Sequence, residues 1–196
     1  MKKVTTRGSK RAGAAAVAGA LIGIAVVAGG AHHLSAQAKP ADLDGVYLRR
    51  KSVAASEDAA RSTAIRTATG RLEAPVQKRW RAVVEISSLP EPKLTIASTS
   101  GEIAVAKGDR APLKTPASGV TRPITENHTV KQQFEGRNLV QTISSSSLAG
   151  LALTTPLEQV SRYRLNEDAL TLDVETTISG GALNAPIVFH TTYDRQ

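Results

Sequence analysis

Residues 157–178 read LEQVSRYRLNEDALTLDVETTI, and this stretch decides the fold. In its first part Tyr163 and Leu165 fall on one side of an extended chain, Arg162 and Arg164 on the other. Asn166-Glu167-Asp168 carries turn chemistry. Beyond the turn Leu170, Leu172, Val174 and Ile178 share one side, while Thr171, Asp173, Glu175 and Thr177 share the other. Side chains of a strand alternate between faces, so this alternation marks a strand that is dry on one side and wet on the other. One-sided strands joined by polar turns belong in an antiparallel sheet.

The same pattern extends in both directions. After Gly180-Gly181 the last run carries Ile187, Phe189 and Tyr193. Upstream, Val130, Gln132 and Phe134 lead into the turn Glu135-Gly136-Arg137-Asn138, and Leu139, Gln141 and Ile143 return. Ser144 to Ser147 reads as a strand end and loop, and residues 107–119 (KGDRAPLKTPASG) read as a loop. Leu94 and Ile96, then Ile103 and Val105, flank a turn at Ser100-Gly101, and residues 43–50 (LDGVYLRR) form a first short strand. About seven or eight strands of this kind predict a mainly β (α+β) fold, an antiparallel meander curling into a barrel or half-barrel.

Two short helices interrupt the strands. Ser56-Glu57-Asp58 predicts an N-cap followed by acids, with a helix running to about Thr69 and stopped by Gly70. Pro75 suits the first turn of a second helix, whose face is Val76, Trp80, Val83 and Val84. Leu89-Pro90-Glu91-Pro92 ends the helical region. Residues 39–92 are thus a strand plus a basic helical segment that covers an open end or edge, and residues 93–196 supply the barrel of the same single domain.

The first 38 residues read as a secretory signal peptide. Lys2, Lys3, Arg7, Lys10 and Arg11 precede an uncharged run at residues 12–31, and Ala36-Gln37-Ala38 places Ala36 and Ala38 at the positions a signal peptidase reads. The expectation is an exported protein, periplasmic or secreted, beginning at Lys39. Without the leader the formal charge of +8 falls to +3, and residues 49–81, with nine Lys or Arg against three acids, carry +6 that the flanking segments partly offset. There is no cysteine, which excludes disulfides and thiolate chemistry.

Four stretches bring a family into view: LDGVYLRRKS (43–52), VKQQFEGRNLVQTI (130–143), EQVSRYRLNEDALTLDVETTI (158–178) and APIVFHTTYDRQ (185–196). An aromatic precedes a glycine turn and an apolar pair at Phe134, Gly136, Leu139 and Val140. An aromatic-x-Leu strand meets a Leu-Thr-Leu strand at Tyr163, Leu165, Leu170, Thr171 and Leu172, and the chain closes on Tyr193 and Arg195. This spacing resembles exported bacterial proteins of unknown function with a lipocalin-like antiparallel β-barrel. The resemblance implies that fold and brings no catalytic residues with it.

A catalytic constellation is not expected. The paired acids Glu167-Asp168 and Asp173/Glu175 read as solvated carboxylates, and the serines at 144–147 have no base at a recognisable spacing. His128 and His190 are assigned to the polar sides of their strands and have no neighbouring ligands, so neither a metal site nor a cofactor is expected. Nucleic acid is not an expected partner, because the basic stretch lacks interleaved aromatics. Two candidate surfaces remain. The inward face Phe134, Ile143, Tyr163, Leu172, Phe189 and Tyr193, with Gln132, Gln141, Thr176 and Thr191 in the same register, is a candidate lining for a small apolar or amphipathic ligand. Arg49, Arg50, Arg61, Arg66, Arg71, Lys78, Arg79 and Arg81, beside Lys51, are the candidate contact with an anionic envelope surface or protein partner, should the barrel be dry.

Overall fold

Residues 42–148 and 151–196 are described by a computed structural model. The expected leader, with Ala36 and Ala38, lies outside the described residues. The first strand, β1 (Gly45–Arg49), leads into helices α1 (Lys51–Thr69) and α2 (Ala74–Ser87). There follow β2 (Lys93–Ser98), β3 (Glu102–Lys107), β4 (Leu113–Pro116) and β5 (Arg122–Thr125). The chain continues through β6 (His128–Glu135), β7 (Asn138–Leu148), β8 (Leu151–Leu165), β9 (Thr171–Gly180) and β10 (Ile187–Arg195).

These ten strands form one sheet in the order β4-β3-β2-β1-β10-β9-β8-β7-β6-β5, and every neighbouring pair is antiparallel. The sheet curls into a nearly closed barrel. Its seam is made by the stretch from β4 to β5, which pairs first with β3 and then with β6. Ser118 bridges Gln133, and Thr115 Oγ1 donates to Gln132 Oε1 at 2.9 Å. An almost closed barrel leaves little free edge for another chain to pair with.

The ladder holds more strands than the alternation predicted. The segment read as a loop at 107–119 contains β4, and all four residues of β5 are exposed. Neither has an apolar rhythm, so only pairing with β3 and β6 defines them. The Ser144–Ser147 patch is likewise strand, because β7 runs to Leu148 against β8.

At the decisive hairpin, Leu172, Val174, Thr176 and Ile178 are buried as alternation requires, but Leu170 is 64% exposed. Asp168 Oδ1 accepts the amides of Leu170 (2.8 Å) and Thr171 (2.9 Å), and Ala169 adopts φ 56°. That turn delays the strand to Thr171 and leaves Leu170 outside.

Helix α1 starts earlier than the cap signal predicted. Arg50 occupies the N-cap without a side-chain capping bond, its amide already donating to Thr192 O at 2.9 Å. Ser56 sits inside the helix and bonds back to Val53 O. Glu57 and Asp58 face the barrel wall instead: Glu57 Oε1 accepts the Thr192 amide at 2.9 Å, and Asp58 pairs with Arg49 at 2.9 Å.

In α2, Trp80 and Val84 are buried, Val83 is half-buried and Val76 is 40% exposed. Together with Ile65 and Ala68 of α1, Trp80 and Val84 pack on Leu157, Ile178, Ile187 and Phe189, the inward residues at one end of β8, β9 and β10. The helices therefore cover the inner face of the barrel there. Burying each such side chain contributes about 1.5–3 kcal/mol.

Candidate functional site

Antiparallel register arranges the interior in rungs. One rung runs Ile187, Ile178, Gln159, Ile143 and Val130 across β10, β9, β8, β7 and β6. The next runs Phe189, Thr176, Ser161, Gln141 and Gln132, and a third runs Thr191, Val174, Tyr163, Leu139 and Phe134. Apart from Phe189, the middle rung is polar yet buried. Ser161 Oγ and Thr176 Oγ1 are 3.4 Å apart, Tyr163 OH donates to Gln141 Oε1 at 3.1 Å, and Thr115 continues the series across the seam. Gln132 Nε2 and Gln141 Nε2 have no partner among the described residues.

Beside these rungs lies a cavity of about 530 Å³. Leu94, Val105, Ile143, Val174 and Phe189 supply apolar wall, and Gln159, Ser161, Thr176 and Thr191 supply polar groups. The exposed residues Ile86, Leu89, Arg110 and Ile124 mark its mouth, where Arg110 and Glu91 form an ion pair. A pocket of a few hundred Å³ with mixed lining is the usual form of a small-molecule site.

Of the six residues read as ligand-lining, Ile143, Tyr163, Phe189 and Tyr193 border the cavity. Leu172 is fully buried in the apolar cluster formed with Tyr47, Ile96 and Leu139, and Phe134 packs against the edge of that cluster. The tyrosine hydroxyls are all engaged. Tyr47 donates to Leu43 O at 2.7 Å and Tyr193 to Glu91 O at 3.1 Å. Burial pushes the Tyr163 and Tyr193 hydroxyls up, so they remain neutral donors.

Among the lining residues that the sequence reading did not assign to the interior is Lys107. Lys107 was assigned to a loop, but it ends β3, where Ile103 and Val105 already point inward and are buried. Two residues further on, Lys107 points the same way, directly opposite Leu94. Extending the period-two rhythm by one step would have found it. Part of its surface is accessible through the cavity, and protein surrounds the rest of it. Burial lowers its pKa to about 8 from an ordinary 10.5.

The basic residues divide into two sets. Arg49 pairs with Asp58, Arg50 Nε donates to Asp194 Oδ1 at 2.8 Å, and Arg61 is buried. Arg61 Nη1 donates to Glu85 O (3.1 Å) and to Ser88 Oγ (3.0 Å), which ties α1 to the end of α2. Arg66, Arg71, Lys78 and Arg79 are exposed and Arg81 is half-buried.

His190 is 65% exposed on the outer face, 3.8 Å from Glu175. His128 departs from its assignment. It lies an even number of residues from Val130, Gln132 and Phe134 and so shares their inward side, at the first position of β6, with Nδ1 2.9 Å from Thr125 Oγ1. Among the described residues no group of three or more His, Asp or Glu side chains is placed to hold a metal ion.

No family model, no curated protein and no solved structure matches this chain.

Proposed function

We propose that this protein is an exported, lipocalin-like, non-enzymatic β-barrel that binds one small amphipathic molecule inside the barrel. The observation that carries the reading is the cavity of about 530 Å³, whose apolar wall is interrupted by a few hydroxyl and amide groups. Such a lining buries an apolar body while orienting a polar group.

Native mass spectrometry of the protein recovered from the exported fraction tests both parts. The expected spectrum shows a chain beginning at Lys39 that carries a dissociable adduct of small-molecule mass. A full-length chain recovered from the cytoplasm would overturn the export reading. An adduct-free chain that also takes up no amphiphile in solution would overturn the binding reading.

A further inference from the structure

We propose that Lys107 seats a carboxylate head group, so that the molecule held in the barrel is a single-chain amphiphile with one negative charge. This rests on the ligand-binding reading above and names the ligand's class. The argument begins with what Lys107 lacks. Among the described residues its ammonium makes no hydrogen bond and no ion pair, although the last inward position of β3 directs it into the cavity.

Several other cations that are at least partly buried have partners, whereas Arg81 of α2, half-buried with its Nε unpartnered among the described residues, does not border the cavity. Arg49 has Asp58, Arg50 has Asp194, Arg61 has Ser88 Oγ, and Arg195 has the carbonyl of Asp44. The carboxylate bordering the same cavity, Glu91, is taken by Arg110. Tyr193 donates its hydroxyl to the Glu91 carbonyl and Tyr163 donates its own to Gln141, and neither oxygen accepts from Lys107 among the described residues. The cavity is thus bordered by one ammonium that no side chain pairs with among the described residues.

An isolated charge away from water is costly unless something pairs with it. A neutral ligand would leave that cost in place, and a cationic one would add repulsion. A single carboxylate matches one ammonium in charge and accepts its donors in a strong, charge-assisted bond. Burial lowers the pKa of Lys107, and a bound carboxylate would raise it again. The rest of the site fits a chain attached to that head: Leu94, Val105, Val174 and Phe189 line the interior, and the exposed Ile86, Leu89 and Ile124 make an apolar lip at the mouth.

The test compares three molecules with the same tail by isothermal titration of the purified protein at pH 7: dodecanoate, dodecanol and dodecyltrimethylammonium. Dodecanoate is expected to bind at least tenfold more tightly than dodecanol, with the ammonium compound weakest. Lys107→Met, which keeps the apolar stem and removes the charge, is expected to bring dodecanoate down to the affinity of dodecanol measured on the same variant. Lys107→Arg should keep the preference for the anion. If dodecanol and dodecanoate bind equally, or if Lys107→Met retains the preference, the head-group assignment is wrong while the binding barrel stands. If none of the three binds, the barrel's binding role fails and the assignment falls with it.

Discussion

Trp80 of α2 covers the backbone of Gly181 so closely that a β-carbon there would lie 2.2 Å from the indole Cη2. Gly181 has φ +59° and follows Gly180 at φ +87°, so the turn from β9 to β10 is left-handed as well as crowded. Both properties require glycine. This contact fastens the helical cover to the barrel wall, because Trp80 also packs in the cluster with Ile178, Ile187 and Phe189.

Gly181→Ala should therefore destabilise the protein by about 2 kcal/mol or more. The left-handed backbone alone costs about 1–2 kcal/mol, and the displaced indole adds to it. For a chain of this size the loss corresponds to a fall in Tm of roughly 4–8 °C. Trp80 is the single tryptophan, so its emission reports on the contact directly and should shift to the red. An unchanged Tm with unchanged emission would remove Gly181 as the fastening point.

The seam offers a second test. Thr115→Val keeps the shape of the side chain but leaves Gln132 Oε1 buried without its donor. An unsatisfied buried acceptor costs about 1–3 kcal/mol. Urea denaturation should show that loss, and hydrogen exchange should quicken most at Gln133 and Ser118, whose bridge lies beside it. A change below about 0.5 kcal/mol would mean that backbone pairing alone holds the barrel shut.

How much of this was legible follows from where the apolar rhythm is strong. Leu172, Val174, Ile178, Phe189 and Tyr193 repeat every second residue, and the structure buries them all. The α2 signal from Pro75 and Trp80 was equally clear. Legibility ended where long-range pairing decides. β4 and β5 exist only because β3 and β6 stand beside them, and the N-cap signal at Ser56 lost to Arg50, which β10 holds by backbone and side chain. Lys107 shows the same limit at the site: a lysine beside a glycine reads as loop until the two preceding inward residues are taken as a strand.

Arg61 separates structural from surface charge. Its guanidinium donates to the last turn of α2, where carbonyls lack intrahelical partners. Arg61→Ala should cost about 2–3 kcal/mol, since Ser88 and the Glu85 carbonyl are left without this donor. The exposed Arg66 and Lys78, changed to Gln, should stay within about 0.5 kcal/mol of the parent. Chemical denaturation of the three variants makes the comparison, and equal effects at all three positions would contradict it.

The hairpin turn between β8 and β9 carries a correctable strain. Ala169 has φ 56°, and Ala169→Gly should stabilise the protein by up to about 1 kcal/mol, the left-handed cost being partly offset by the greater freedom of unfolded glycine. Asp168→Ala should act in the opposite sense, because Asp168 ties down the amides of Leu170 and Thr171 and the Thr171 hydroxyl. Those same bonds hold its carboxyl below the ordinary 3.8. Its contribution is accordingly complete above that value and is lost as the pH falls through the folded pKa. Melting curves of both variants at neutral pH and in acid check the signs, and a destabilised Ala169→Gly would show that the turn does not need its left-handed residue.

Lys107 should leave an alkaline signature on stability. The ligand-free barrel binds this proton less tightly than the unfolded chain does, with a pKa of about 8 against 10.5. Below pH 8 both states are protonated and the folded state bears the full cost of the partly desolvated charge. Between about pH 8 and 10.5 the unfolded chain holds the proton that the folded chain has released, so stability from this group rises with pH across that window. Of the other titratable groups bordering the cavity, Glu91 is paired with Arg110, and Tyr163 and Tyr193 are held neutral by burial throughout the window. Lys107→Met should therefore be more stable than the parent at pH 7, and the advantage should shrink steadily toward pH 10.5. Urea titrations of the two proteins at several pH values measure the difference. A constant difference across the window would place Lys107 in bulk water, with its proton no more weakly held than on any surface lysine.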